Sequence, residues 1–507
     1  MKKIGKYVRP HPDPLPQERE NCRRSVGKPC AVGNFESRES LFPLPAGEGQ
    51  GEGGRREFGH GPRSLWTLFA AGLAVWFSGS SLPGQTLLLT GATVHTVSGE
   101  TIQTGQVLVQ NGKIIQVYDA LQPMRLLLPT NTVNVDLKGL HLYPGMIALN
   151  TTLGLEEIGE VRATHDDTEV GEGYNPDVQS WLAVNPDSEL LPVARANGVA
   201  YFEPVPQGGV VAGQSGLLAL EGWTSEQMVV KSPIALHVFW PEAHLNTTPR
   251  ERAKDPRKWK SLEDQDKERK EKMKALDDFF AEARAYAKAQ DAARDTAAFR
   301  RIPAWEAMLP VVRGEIPITV HADDVRQIRA AVKWAETNQF RIILAEARDA
   351  WKVAGLLASN NIPVIYNHVF TQPQRDADAY DVHFSAPGVL HKAGVKVVFG
   401  VTIYRASLVK NLPYDAAQAV AFGLPAEAAL KGLTLYPAQL AGVAGRLGSI
   451  EAGKDATLFA CDSDILDIRS NVKRMWIAGK DVSLESRHAR LYEKYKNRPK
   501  LPPAKAN

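Results

Sequence analysis

Val107-Leu108-Val109-Gln110-Asn111-Gly112-Lys113-Ile114-Ile115-Gln116-Val117 is two apolar, mostly β-branched runs around an Asn-Gly pair. A two-residue hairpin turn needs positive φ at both central positions, and Asn-Gly supplies that at low cost. The stretch therefore predicts a tight β-hairpin. Isolated hairpins are marginal in water, so this one requires neighbours. Upstream lie Leu87-Leu88-Leu89 and Thr93–Val97, punctuated by Thr90-Gly91. The same texture returns at Ala456–Ala460, Val472–Ile477 and Lys480–Val482, separated by Gly453-Lys454 and Gly479-Lys480. Neither group makes a stable sheet alone. The economical reading is one β-sandwich built from residues 86–142 and 439–482, which brings the two ends of the intervening chain together.

That intervening stretch, residues 143–438, alternates strand and helix patterns. Candidate strands are Gly145–Asn150, Val199–Glu203, Leu217–Leu220, Ala235–Phe239, Ile318–His321, Arg341–Leu344, Pro363–Tyr366 and Val395–Gly400. Candidate helices include Asp324–Glu336 and Ala350–Ser359. Eight strands over such a length fit a (β/α)8 barrel. The fold class is therefore α/β: a (β/α)8 TIM barrel with a composite β-sandwich formed by N- and C-terminal segments. A doubly wound sheet is the rival, but it leaves the divided sandwich unexplained. Within the barrel a helical insertion is expected over 249–300. There Met273, Leu276, Phe280, Ala283 and Ala287 form one apolar stripe after a capping-box-like Ser261-Leu262-Glu263-Asp264. Its mixed charge favours packing on its own barrel over a membrane surface.

The 507 residues carry 60 Lys/Arg and 57 Asp/Glu, a net charge of +3. Residues 1–63 hold 12 of those cations and 8 of the anions, leaving 48 against 49 for the rest. The folded part is electrically balanced, so no nucleic-acid footprint is expected. Residues 1–63 also contain 8 Pro and 10 Gly without a period. They read as low complexity: a mis-assigned start, or a disordered extension. Residues 64–85 have the shape of a signal peptide. The apolar run Leu65–Phe77 follows Arg63 and precedes Ser78-Gly79-Ser80-Ser81. It is too short to span a bilayer, which needs ~20 residues; a buried helix is the alternative. Export to the periplasm or exterior is expected, with no transmembrane anchor after signal removal. Cys22, Cys30 and Cys461 indicate no disulfide framework. Residues 483–507 form a C-terminal tail.

Three segments resemble the amidohydrolase superfamily, in its imidazolonepropionase-like and prolidase-like branch. The first is Leu142-Tyr143-Pro144-Gly145-Met146-Ile147. The second runs from Asn411-Leu412-Pro413-Tyr414-Asp415 through Thr434-Leu435-Tyr436-Pro437-Ala438. The third, the most specific, is Arg446-Leu447-Gly448-Ser449-Ile450-Glu451-Ala452-Gly453-Lys454-Asp455-Ala456. The resemblance implies hydrolysis of non-peptide C–N bonds in a cyclic amide or amide-like small molecule. It also implies one or two divalent ions, zinc first, that activate water and polarise the carbonyl.

The ligand pattern departs from the family's. Where the resemblance implies a His-x-His pair stand Asn150 and Thr152. Leu344-Ala345-Glu346 has no His, and Gly400-Val401-Thr402-Ile403-Tyr404-Arg405 has no Asp. His321 matches the strand-5 histidine, and His237 falls near the strand-4 position. These two are the candidate metal ligands, and His321 is the candidate catalytic residue. A third ligand could come from Glu203, Asp323 or the acidic loop 156–167. Catalytic zinc normally has three protein ligands. The vacated positions therefore open an alternative: a non-catalytic exported binding or scaffold protein that holds no metal. His368 and His383 read as structural. Pro206–Gly216, rich in Gly, reads as a long turn near the barrel mouth and lacks a phosphate-loop ending. The substrate and the oligomeric state stay open.

Overall fold

The computed structural model describes residues 86–119, 128–169, 173–293, 299–401 and 405–499. The low-complexity segment 1–63 and the signal reading at 64–85 lie outside them.

β1 (Thr86–His95), β2 (Thr101–Gln110) and β3 (Lys113–Asp119) form an antiparallel meander. Asn111 and Gly112 sit at φ 52° and 76°, both in the left-handed region that the two-residue turn demands. Thr90-Gly91, which reads as a break between two strands, is instead an irregularity inside β1, where the register to β2 shifts. β4 (Thr132–Asp136) and β5 (His141–Pro144) both run parallel to β1.

β6 (Met146–Thr151) opens the barrel, followed by β7 (Val199–Pro204), β8 (Val211–Ala219), β9 (Val229–Phe239), β10 (Ile318–Ala322), β11 (Ile342–Glu346), β12 (Val364–Tyr366) and β13 (Val397–Phe399). They hydrogen-bond in sequence order, and a parallel bridge between Leu149 and Gly400 joins the last strand to the first. The barrel departs from strict (β/α)8 form at one place. β8 runs antiparallel to both β7 and β9. The links on either side, 205–210 and 220–228, are too short for the crossover that a parallel neighbour needs, and residues 211–216 of the glycine-rich run are strand rather than turn. Gly213 (φ +134°) and Gly216 leave room for Val178 and Trp181 to pack on the strand; a Cβ on Gly213 would lie 2.8 Å from the Val178 carbonyl oxygen.

β14 (Leu458–Cys461), β15 (Val472–Ile477) and β16 (Lys480–Asp481) return to the first sheet, β14 pairing antiparallel with β5. The composite layer is thus one continuous hydrogen-bonded sheet from both chain ends, around a core of Leu89, Val94, Val107, Ile114, Leu142, Leu458 and Trp476. The Arg446–Ala456 segment closes it. The Gly453 amide donates to the Ile114 carbonyl (2.7 Å), and the Ile114 amide to that of Lys454 (2.8 Å). The buried Asp455 carboxylate accepts from Arg446 Nε (3.0 Å) and Nη2 (2.8 Å) and pairs with Lys113 beside the hairpin turn.

The inserted helix spans Leu262–Ala293 and buries Leu276, Phe280, Ala283 and Ala287. Residues 249–261 precede it without regular helix beyond the short turn Arg250–Arg252. Phe280 packs edge-on against Trp334 of the barrel helix Val325–Asn338. Among the described residues no helix is long and apolar enough to cross a membrane.

Gly145 joins the two sheets, between β5 and β6. A Cβ there would lie 2.5 Å from the Ala200 Cβ and 2.8 Å from Thr457 Cγ2. Gly145→Ala is therefore expected to lower stability by ~1–3 kcal/mol through overpacking. Urea unfolding checks this: the midpoint should fall while the slope stays constant.

Candidate functional site

The C-terminal ends of β7, β9 and β10 and the middle of the antiparallel β8 gather a buried polar cluster. Glu203 (β7), Ser215 (β8), His237 (β9) and His321 (β10) are each at most 5% exposed. Ser215 Oγ lies 2.6 Å from Glu203 Oε1, and the Asn150 amide donates to Glu203 Oε2 at 3.0 Å. His237 Nε2 is 2.8 Å from Ser215 Oγ, and His237 Nδ1 is 3.0 Å from His321 Nε2. His321 also stacks on Phe239, ring centroids 4.1 Å apart.

Proton positions follow from donor arithmetic. Burial alone would raise the Glu203 carboxyl, but the His237 ring, the Ser215 hydroxyl and the Asn150 amide hold it below the usual carboxylate range. As a carboxylate it only accepts, so the single Ser215 proton points to it. Ser215 Oγ then accepts from His237 Nε2–H. With both rings neutral, His237 Nδ1 accepts from His321 Nε2–H, and His321 Nδ1 is left with a bare lone pair. Burial lowers the His321 pKa, with His237 adding to the effect and Glu346 opposing it. His321 Nδ1 is buried without a hydrogen-bond partner and lies 3.9 Å from Glu346 Oε1.

A second group surrounds that lone pair. Glu346 ends β11 and accepts from Asn150 Nδ2 at 2.9 Å. His368, beyond β12, has Nε2 2.9 Å from Asp323 Oδ1 and 4.0 Å from Glu346 Oε2. Burial would raise Asp323, but His368 and Arg348 bring it below its ordinary value. Asn150, Glu346 and Ala347 all take positive φ (58°, 64° and 60°). Such conformations cost ~1–3 kcal/mol each and tend to collect at functional sites.

The structure thus sets His237 and His321 side by side, with Asn150 nearby, its backbone amide bonded to Glu203 and its side chain to Glu346. Thr152 is turned elsewhere, donating to Glu156 Oε2 at 3.0 Å. Glu156, in the acidic loop, is occupied by that bond, and His165 of the same loop meets the Ile158 carbonyl. His383 faces the Tyr366 hydroxyl at 2.8 Å. Sequence reasoning missed Ser215, hidden in the glycine-rich run. His368, which the sequence offered after a strand in Tyr366-Asn367-His368 and which reads there as structural, bonds Asp323 beside Glu346.

The residues do not fit the metal that the resemblance implies. The facing nitrogens of His237 and His321 are spent on each other, His237 Nε2 on Ser215, and Glu203 on Ser215 and the Asn150 amide. Among the described residues no three His, Cys, Asp or Glu side chains form a group able to hold a metal ion. A cavity of about 790 Å³ adjoins the mouth, lined by Asp323, Arg348, Gln327, His244 and Arg375 among others. Another, of about 410 Å³, lies at the opposite end among residues that precede the strands, such as Pro317, Pro363 and Lys396, and contains none of the groups above.

Known proteins bear on this site. A model of the Amidohydrolase family matches residues 317–482. The amidohydrolase tasK of Hapsidospora irregularis is 22% identical over 497 residues, covering 90% of this chain and 48% of the relative. The chain therefore spans about half the length of that curated relative. The crystal structure of an amidohydrolase from Thermotoga maritima MSB8 is similar with a TM-score of 0.68 at 26% identity, over 78% of this chain and 99% of that one.

Proposed function

We propose, for a chain that is a protein of the amidohydrolase superfamily, that its barrel mouth has left metal-dependent hydrolysis and serves to bind a small molecule. One observation carries the reading: the hydrogen-bonded series Glu203–Ser215–His237–His321 commits both nitrogens of His237 and Nε2 of His321 to protein partners. A catalytic zinc site keeps three protein ligands and one open position. Here Asn150 and Thr152 stand where two imidazoles are implied, and Thr152 is bonded away from the centre. Surviving hydrolysis of a non-peptide C–N bond is the second reading. It is favoured by the unpartnered Nδ1 of His321, a lone pair suited to receive a metal or a proton.

Elemental analysis of the purified, unchelated protein separates the two. The binding reading expects zinc, iron and manganese together far below about one equivalent, the content a catalytic site would hold. Stoichiometric metal would return the chain to the hydrolases. In that case His321→Ala should lose the ion.

A further inference from the structure

We infer that the barrel mouth binds the head of a donor-rich organic cation, an amidinium or guanidinium group, with the Glu346 carboxylate as its counter-charge. The inference rests on the metal-free reading above and gives it a ligand class.

The argument begins with hydrogen bonds left unmade. Three buried polar atoms within one residue of a barrel strand end have no partner, Asn150 Oδ1, His321 Nδ1 and Asn367 Oδ1, and one donor, Arg348 Nε, is likewise unpartnered two residues past β11. The two amide oxygens are acceptors, and so is His321 Nδ1 in the state in which both rings are neutral. Asn150 is oriented by its Nδ2, which donates to Glu346, so its oxygen is the free end. Asn367 is oriented likewise, its Nδ2 donating to the Val401 carbonyl at 3.1 Å. His321 is oriented by the proton order of the series that ends on Glu203. Asn367 Oδ1 lies over Gly400, where a Cβ would come within 2.5 Å of it, and Gly400 bridges to Leu149, the neighbour of Asn150. The atoms stand on alternate strands, with β13 between β12 and β6 and β11 between β10 and β12, and Glu346 of β11 reaches across to Asn150.

An unpaired acceptor buried in protein costs ~1–3 kcal/mol. Several at the ends of barrel strands call for donors from water or from a ligand. The negative charge beside them sets the ligand's sign. Glu346 spends one oxygen on the Asn150 amide, and its other is 4.0 Å from His368 Nε2, beyond a hydrogen bond. Neutral amides and esters bring too few donors and leave the carboxylate uncompensated. A planar amidinium or guanidinium brings four or more N–H groups and a charge, which matches a carboxylate flanked by oxygen and nitrogen acceptors. The remainder of the ligand has space in the adjoining cavity of about 790 Å³, which shares Asp323 with the His368 contact.

The test compares methylguanidinium with its neutral analogue methylurea, near in shape and differing in charge. Ligand-observed saturation-transfer NMR and chemical-shift titration of the full folded chain at pH 8 read both affinities. The expected result is methylguanidinium binding about tenfold or more tighter than methylurea. In Glu346→Gln, which keeps the side-chain shape, that preference should largely vanish while the circular dichroism spectrum is unchanged. Equal binding of the two probes, absence of binding, or a preference that survives in Glu346→Gln overturns the ligand class. If Glu346→Gln fails to fold, the wild-type comparison decides alone. Metal content, measured on the same sample, keeps the two readings apart. Stoichiometric zinc overturns the metal-free reading on which this one rests. Failure of methylguanidinium in a metal-free sample overturns the ligand class only.

Discussion

Arg375→Ala is expected to destabilise the protein by about 3 kcal/mol, toward the lower end of what breaking a buried ion pair costs. Arg375 donates to both oxygens of Asp349, Nη1 to Oδ1 at 2.8 Å and Nη2 to Oδ2 at 2.6 Å. Asp349 is 1% exposed, so truncating the arginine strands its charge out of reach of water. Two facts moderate the loss. The Arg375 side chain is itself 38% exposed, which screens the attraction, and Lys352 Nζ remains 3.9 Å from Asp349 Oδ1. The effect carries a pH signature. Burial alone would raise the Asp349 carboxyl, but Arg375, with Lys352 and the Val325 amide, holds it below the ordinary range. A group depressed in the folded state adds stability above its unfolded pKa, about 3.9, and loses that contribution as pH falls through the folded value. Denaturant unfolding should therefore show the full gap between wild type and Arg375→Ala at pH 7. Acidification below about pH 4 should narrow it. A gap that stays constant in acid would show that the guanidinium acts by packing alone.

Glu203→Ala should cost more, about 3–5 kcal/mol. The substitution leaves the Ser215 hydroxyl and the Asn150 amide without an acceptor, and it removes the anion 3.4 Å from His237 Nε2. It also erases the group that fixes proton order along the series. Ser215→Ala should cost less, because the carboxylate keeps the Asn150 amide and the nearby His237 ring. Thermal unfolding of the two variants checks the ranking. The reverse order, or a near-neutral Glu203→Ala, would mean the cluster is wetter than its burial indicates.

Much of the architecture was legible because it follows from local periodicity and turn chemistry. Each of the eight barrel segments read from the sequence overlaps one of β6 to β13, and Asn111-Gly112 takes the two positive φ angles its hairpin needs. The first half of β8 escaped that reading. It is glycine-rich for a reason no local pattern displays: Val178 and Trp181, more than thirty positions earlier in the chain, lie against Gly213 and Gly216. β4 and β5 escaped as well, being short strands defined by their partner β1. The site divides in the same way. His237 and His321 could be singled out as imidazoles at strand ends, but their state depends on Glu203 and Ser215, which reach them from two other strands. Glu346 registered only as the lack of a histidine. Its significance comes from Asn150, 196 positions away. Hydrogen-bond partners that far apart are set by the closing of the barrel and leave no local trace.

The sheet that joins both chain ends has a consequence for synthesis. β5 ends at Pro144, and its partner there is Leu458, about 310 residues later. At ~5–20 residues per second, a ribosome needs about 15–60 s to deliver the second after the first. Throughout that interval the nascent β5 edge has its partner still untranslated, an invitation to pair with another chain. Its final residue, Pro144, has no amide hydrogen to offer, and proline is one of the devices that blunt such an edge.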